Sequence, residues 1–88
     1  MITLTILSPG GTLCSAQVEK VSFPGAKGLF TVYPEHAPLL SSLLPGTIEW
    51  TAADGSTGSV AVRAGCVRVH DDNVEACVEV LNGGGGKA

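Results

Sequence analysis

Clustered positive charge is missing from this sequence. Its five basic residues, Lys20, Lys27, Arg63, Arg68 and Lys87, are scattered among eight acidic ones, for a net charge of −3. A nucleic-acid surface gathers cations on one face to displace counterions, so this balance excludes nucleic acid as a partner. No apolar run approaches the roughly 20 residues of a membrane helix, so direct membrane insertion is not expected. The N-terminus lacks the basic start, long apolar core and small-residue cleavage site of a secretory leader, which leaves the cytoplasm as the default compartment. Cysteine is sparse. Cys14, Cys66 and Cys77 are odd in number and show no C-x-x-C spacing. They point to neither a disulfide framework nor a zinc site, and are expected to pack as small buried or half-buried hydrophobes.

Catalytic groupings are equally thin. His36, Ser41 and Ser42 are the raw material of a triad, but no nucleophile elbow presents them. The two histidines, His36 and His70, are too far apart in sequence for a metal-ligand motif. Gly25-x-x-Gly28 lacks the Gly-Lys-Ser/Thr ending of a phosphate loop and no helix follows it, so it reads as a plain turn. Asp71-Asp72 reads as a solvated turn. The sequence therefore implies no catalytic residue, no metal and no cofactor.

Helical periodicity is nearly absent too, and what replaces it is alternation. Met1 to Leu7 sets Ile2, Leu4 and Ile6 against Thr3 and Thr5, the pattern of a strand with one wet face. Ser8-Pro9-Gly10-Gly11 stops it. Thr12 to Phe23 is a second β region whose alternation slips near Glu19-Lys20, as two short strands or one bulged strand would. Strands are also read over Leu29 to Tyr33, Thr47 to Thr51, from Val60 through His70, and Val74 to Val80. Turns fall at Asp54-Gly55 and Asp71-Asp72-Asn73. Leu39, Leu40, Leu43 and Leu44 have helix-like spacing, but the run is short and held between Pro38 and Pro45, so a strand fits equally well. Many short strands in 88 residues predict a single all-β domain, a small sandwich or flattened barrel. The domain is expected over residues 1–82, with 83–88 a flexible Gly-rich tail.

The stretch YPEHAPLLSSLLPG, Tyr33 to Gly46, is the most unusual. Tyr33 and Ala37 each precede a proline and are pushed toward extended backbone. Pro34 and Pro38 fix their own φ angles. His36 sits between them with a donor and an acceptor to satisfy backbone groups stranded in a stiff corner. The reading is a structural corner of Pro34, His36, Pro38 and Gly46, of a kind another protein could grip.

These residues resemble a known signature. GLFTVYPEHAPLLSSLLPGTIEW is similar to the epsilon subunit of bacterial F-type ATP synthases, called delta in mitochondria, where a Gly-rich turn and strand lead into Pro-x-His-Ala-Pro-Leu. Gly28, Pro34, His36, Ala37, Pro38, Leu39 and Gly46 match. So do Ser8-Pro9, Val18-Glu19-Lys20-Val21, and Val62-x-x-Gly65 followed by Val67-x-Val69. The resemblance runs from Met1 to about Val80. Thr31, Ala64 and Cys66 depart from the family's usual glycine, glycine and large apolar residue.

The resemblance implies a β-sandwich of about ten short strands and a non-catalytic subunit of the central stalk. Its implied partners are the gamma subunit, the c-subunit ring and, through them, the assembled alpha/beta catalytic complex. It implies a peripheral place on the cytoplasmic face of a bacterial inner membrane. By resemblance, Ser8, Ser41 and Ser42 face gamma, while Ala26, Lys27, Gly28 and Leu29 face the c ring. Family members usually continue into a C-terminal helical hairpin that restrains ATP hydrolysis. Leu81 and Asn82 lead instead into four glycines, so the expectation is a subunit without that brake. The alternative from the residues alone is a free-standing β-sandwich module for a peptide or small ligand, which neighbouring genes for the other ATP synthase subunits would argue against.

Overall fold

Strand β1 (Ile2–Ser8) follows the alternation of its sequence: Ile2, Leu4 and Ile6 are fully buried while the threonines between them are half-exposed. The computed structural model describes residues 1–81, so the tail assigned to 83–88 lies outside the described residues. Six further strands follow: β2 (Gly11–Gly25), β3 (Gly28–Val32), β4 (Leu39–Leu43), β5 (Gly46–Ala52), β6 (Thr57–His70) and β7 (Asn73–Val80). No helix occurs among the described residues. The leucine run after Pro38 is therefore a strand, with Leu43 buried and Leu40 turned out.

The fold is a β-sandwich of seven strands rather than about ten. The difference lies in β2 and β6, at 15 and 14 residues, which each serve both layers. In one layer the first half of β2 pairs with β1, β1 with β7, β7 with the second half of β6, and that half with β4. In the other, β3 pairs with the second half of β2, which pairs with β5, which pairs with the first half of β6. Both long strands change layer at irregularities. The register of β2 shifts between Val18 and Lys20, where the sequence alternation slips, and that of β6 between Val62 and Ala64. An extra residue bends a strand and strengthens its twist, so its buried set passes from one layer to the next.

The core is wholly apolar. Valines supply most of it, with Ile2, Leu4, Ile6, Phe23, Leu43 and Ile48, and no polar or charged residue is buried among the described residues. Phe23 packs on Phe30, its partner across β2 and β3, with ring centroids 5.6 Å apart. Thr31 hydrogen bonds Ser22 across the same pair at 2.9 Å. Cys14 is half-buried as expected, but Cys66 and Cys77 are exposed. Their positions alternate with Gly65 and Val67 on β6 and with Ala76 and Val78 on β7, so the pleat turns both thiols outward.

Candidate interaction surfaces

Tyr33 to His36 form a tight turn in which the His36 N–H donates to the Tyr33 carbonyl at 3.2 Å. Pro34 occupies its second position and Glu35, at φ 66°, its third. That combination marks a type II turn, whose third position normally takes glycine. The Glu35 N–H points away and donates to Asp72 Oδ1 at 2.6 Å. Asp71 and Asp72 both have positive φ, 52° and 61°, as a two-residue hairpin of the twisted kind requires. Asp72 thus bolts the proline corner to the β6–β7 turn. The sequence reading of Asp71-Asp72 as a solvated turn misses this, because nothing local links residues 37 positions apart.

His36 is half-buried, and its Nδ1 lies 2.7 Å from the Ala37 carbonyl oxygen. A carbonyl only accepts, so Nδ1 donates and the ring is fastened to its own corner. His70 belongs to the same end of the molecule, with Nδ1 3.1 Å from Asp71 Oδ2. Among the described residues no three potential ligands gather into a metal site. Gly46 lies against Pro24, where an added Cβ would come within 2.7 Å of the proline ring.

The strain at Glu35 gives a direct expectation. Glu35→Gly should stabilise the domain by about 1 kcal/mol, because glycine adopts positive φ without the steric cost a side chain incurs. The bond to Asp72 is made by the backbone and persists. Chemical denaturation of the two proteins measures it, and a destabilised variant would mean that the Glu35 side chain does structural work of its own.

Gly25 and Gly28 close the β2–β3 hairpin around Ala26 and Lys27. Gly28 takes φ 123°, and a Cβ on Gly25 would lie 2.7 Å from the Phe30 ring. Both positions therefore need glycine, which is the plain-turn reading in physical form. The hairpin folds against the edge of β4: the Ala26 N–H donates to the Ser42 carbonyl at 3.0 Å and the Leu44 N–H to the Pro24 carbonyl at 2.8 Å. A groove results, lined by Lys27, Leu29, Leu40, Ser41 and Ser42 among others. Leu29 and Leu40 are each 74% exposed beside it. The sets expected from resemblance to face the c ring and gamma thus abut along one groove. Ser8 is apart from them. It sits in the β1–β2 turn, donating to the Gly11 carbonyl at 3.2 Å. The registered row Leu7, Cys77, Cys66, Ser42 separates it from Ser42, three strand spacings or about 14 Å. Sequence reasoning missed Leu40, which only the pleat of β4 turns outward.

The family model for the beta-sandwich domain of the ATP synthase delta/epsilon chain matches residues 1–82. The chain belongs to this family. It is 41% identical over 78 residues to the ATP synthase epsilon chain of Nitratiruptor sp., covering 89% of this chain and 60% of that one. With the ATP synthase epsilon chain of Wolinella succinogenes it shares 40% over 79 residues, covering 90% and 60%. The chain therefore spans about three-fifths of the length of these family members. The fold also matches a chain in the Euglena gracilis mitochondrial ATP synthase, OSCP/F1/c-ring, with TM-score 0.81 at 20% identity, covering 88% of this chain and 49% of that one. A chain of the Tetrahymena thermophila mitochondrial ATP synthase central stalk and c-ring matches with TM-score 0.74 at 17% identity, covering 89% and 63%.

Proposed function

We propose that the chain is a non-catalytic, epsilon-type subunit of the central stalk of an F-type ATP synthase. It binds gamma and the c ring and couples ion flow to ATP synthesis, as a peripheral subunit on the cytoplasmic face of a bacterial inner membrane. The observation that carries this reading is the groove between the β2–β3 hairpin and β4. Two leucines there spend their apolar surface on water, beside Lys27 on a hairpin held rigid by Phe30 and by bonds to β4. Exposed apolar side chains grouped on a stiff support suit a protein partner.

In this reading Ser8, Ser41, Ser42 and Leu40 belong to the gamma side and Ala26 to Leu29 to the c-ring side. Pro34, His36 and Pro38 hold the corner from which β4 departs, and Gly46 seats the start of β5 against Pro24. A coupling element has to transmit torque without yielding. An apolar close-packed core and a corner tied to a distant turn both serve that. The test is affinity purification of the tagged chain from gently solubilised native membranes. Gamma, c, alpha and beta subunits in fixed ratio are expected; a chain that elutes alone while the ATP synthase elutes complete without it would overturn the proposal.

A further inference from the structure

Cys66 on β6 and Cys77 on β7 are registered partners across the two central strands of one layer. Both are free and exposed. Directly opposed residues in an antiparallel pair have Cα atoms about 4.5–5.5 Å apart, within the window of about 4.4–6.8 Å that a disulfide spans. The third cysteine is different. Cys14 pairs with Ile6, so its side chain points to the core side, where burial raises its thiol pKa. A shallow depression lined by Leu7, Ser8, Pro9, Gly65, Cys66 and Cys77 gives a small molecule access to the pair. We propose that Cys66 and Cys77 form a dithiol site that undergoes thiol–disulfide exchange with low-molecular-weight disulfides and closes into a reversible cross-strand bridge.

The exchange balances in two steps. One cysteine loses its proton and its thiolate attacks a sulfur of the small disulfide RSSR, releasing RS⁻ and leaving a mixed disulfide. The neighbouring thiolate then attacks the protein sulfur of that mixed disulfide and displaces the second RS⁻. Two protein thiols are oxidised, one RSSR is reduced to two RSH, and the two protons pass to the released thiolates. Register decides the second step: the neighbouring thiol is already opposite, so closing the bridge outruns a second adduct. The bridge staples β6 to β7 on the outer surface and closes a short loop through the Asp71-Asp72 turn. This needs only the chain itself and stands apart from the stalk reading.

The test treats the 88-residue chain with excess oxidised glutathione under native conditions, followed by acid quench, intact mass and peptide mapping. The mass is expected to fall by two hydrogens, with a Cys66–Cys77 linkage, Cys14 free, and a melting temperature raised by about 10 °C. Dithiothreitol reverses all three changes. Cys66→Ser and Cys77→Ser are each expected to stop at one glutathione adduct without the thermal gain. Two stable adducts on the unmodified chain, a linkage through Cys14, or dimers joined between chains would each overturn the proposal.

Discussion

Phe23→Ala is expected to lower the melting temperature of the domain by about 15–30 °C. Phe23 is fully buried and is the largest side chain in the core. Truncating such a residue costs about 3–5 kcal/mol, from lost transfer energy and the cavity left behind. A chain of this length has roughly 4–13 kcal/mol in total, so the variant is close to unfolding. Each kcal/mol moves the midpoint by about 4–8 °C in a domain of this size. The loss also reaches the groove. Phe23 supports Phe30, and Phe30 packs on Gly25 at the base of the hairpin that carries Lys27. Thermal unfolding by circular dichroism measures the effect. A shift below about 5 °C would mean that the two layers close over the cavity and that the core is less tightly fitted than the packing indicates.

Replacing Leu29 and Leu40 together by aspartate should do the opposite: leave the fold and remove the assembly. Both side chains are 74% exposed, so their replacement touches little of the core. Surface changes of this kind are usually worth within about 0.5 kcal/mol each. In a complex the same positions would hold two carboxylates against apolar partner surface, which costs far more than losing the leucines alone. With the proposed stalk role, binding to the other ATP synthase subunits is expected to weaken by at least about 100-fold, equivalent to about 2.8 kcal/mol. ATP-driven ion pumping in membranes carrying the variant should fall in parallel. Full assembly with the double variant would move the partner surface away from the groove.

The sequence carries the strands well because alternation is a local property. β1 reads directly from Ile2, Leu4 and Ile6, and the slip at Glu19-Lys20 marks the place where β2 changes layer. The strand count differs because a bulge lets one strand serve two layers, and a local pattern does not separate an interruption from an end. What stays hidden is non-local. Glu35 and Asp72 meet only once the corner and the hairpin turn are folded. Leu29 and Leu40 share a groove because the hairpin bonds to the edge of β4. Cys66 and Cys77 look like ordinary half-buried fillers until the pleat turns both outward and the register sets them face to face. The prolines at 34 and 38 announce a stiff segment locally, but the bond that ties its turn to the β6–β7 hairpin joins residues 37 positions apart and leaves no local trace.

Site-directed cross-linking locates the partners of the groove. In a background with serine at positions 14, 66 and 77, single cysteines replace Lys27, Leu40 or Asp54, each labelled with a photoactivatable maleimide in the assembled complex. Asp54 is the control. It lies in the β5–β6 turn, at the opposite end of the β2–β5 pairing from the hairpin. Position 27 is expected to link to a c subunit, position 40 to gamma, and position 54 to neither. Links from position 54 to gamma or c, with none from 27 and 40 in an intact complex, would contradict it.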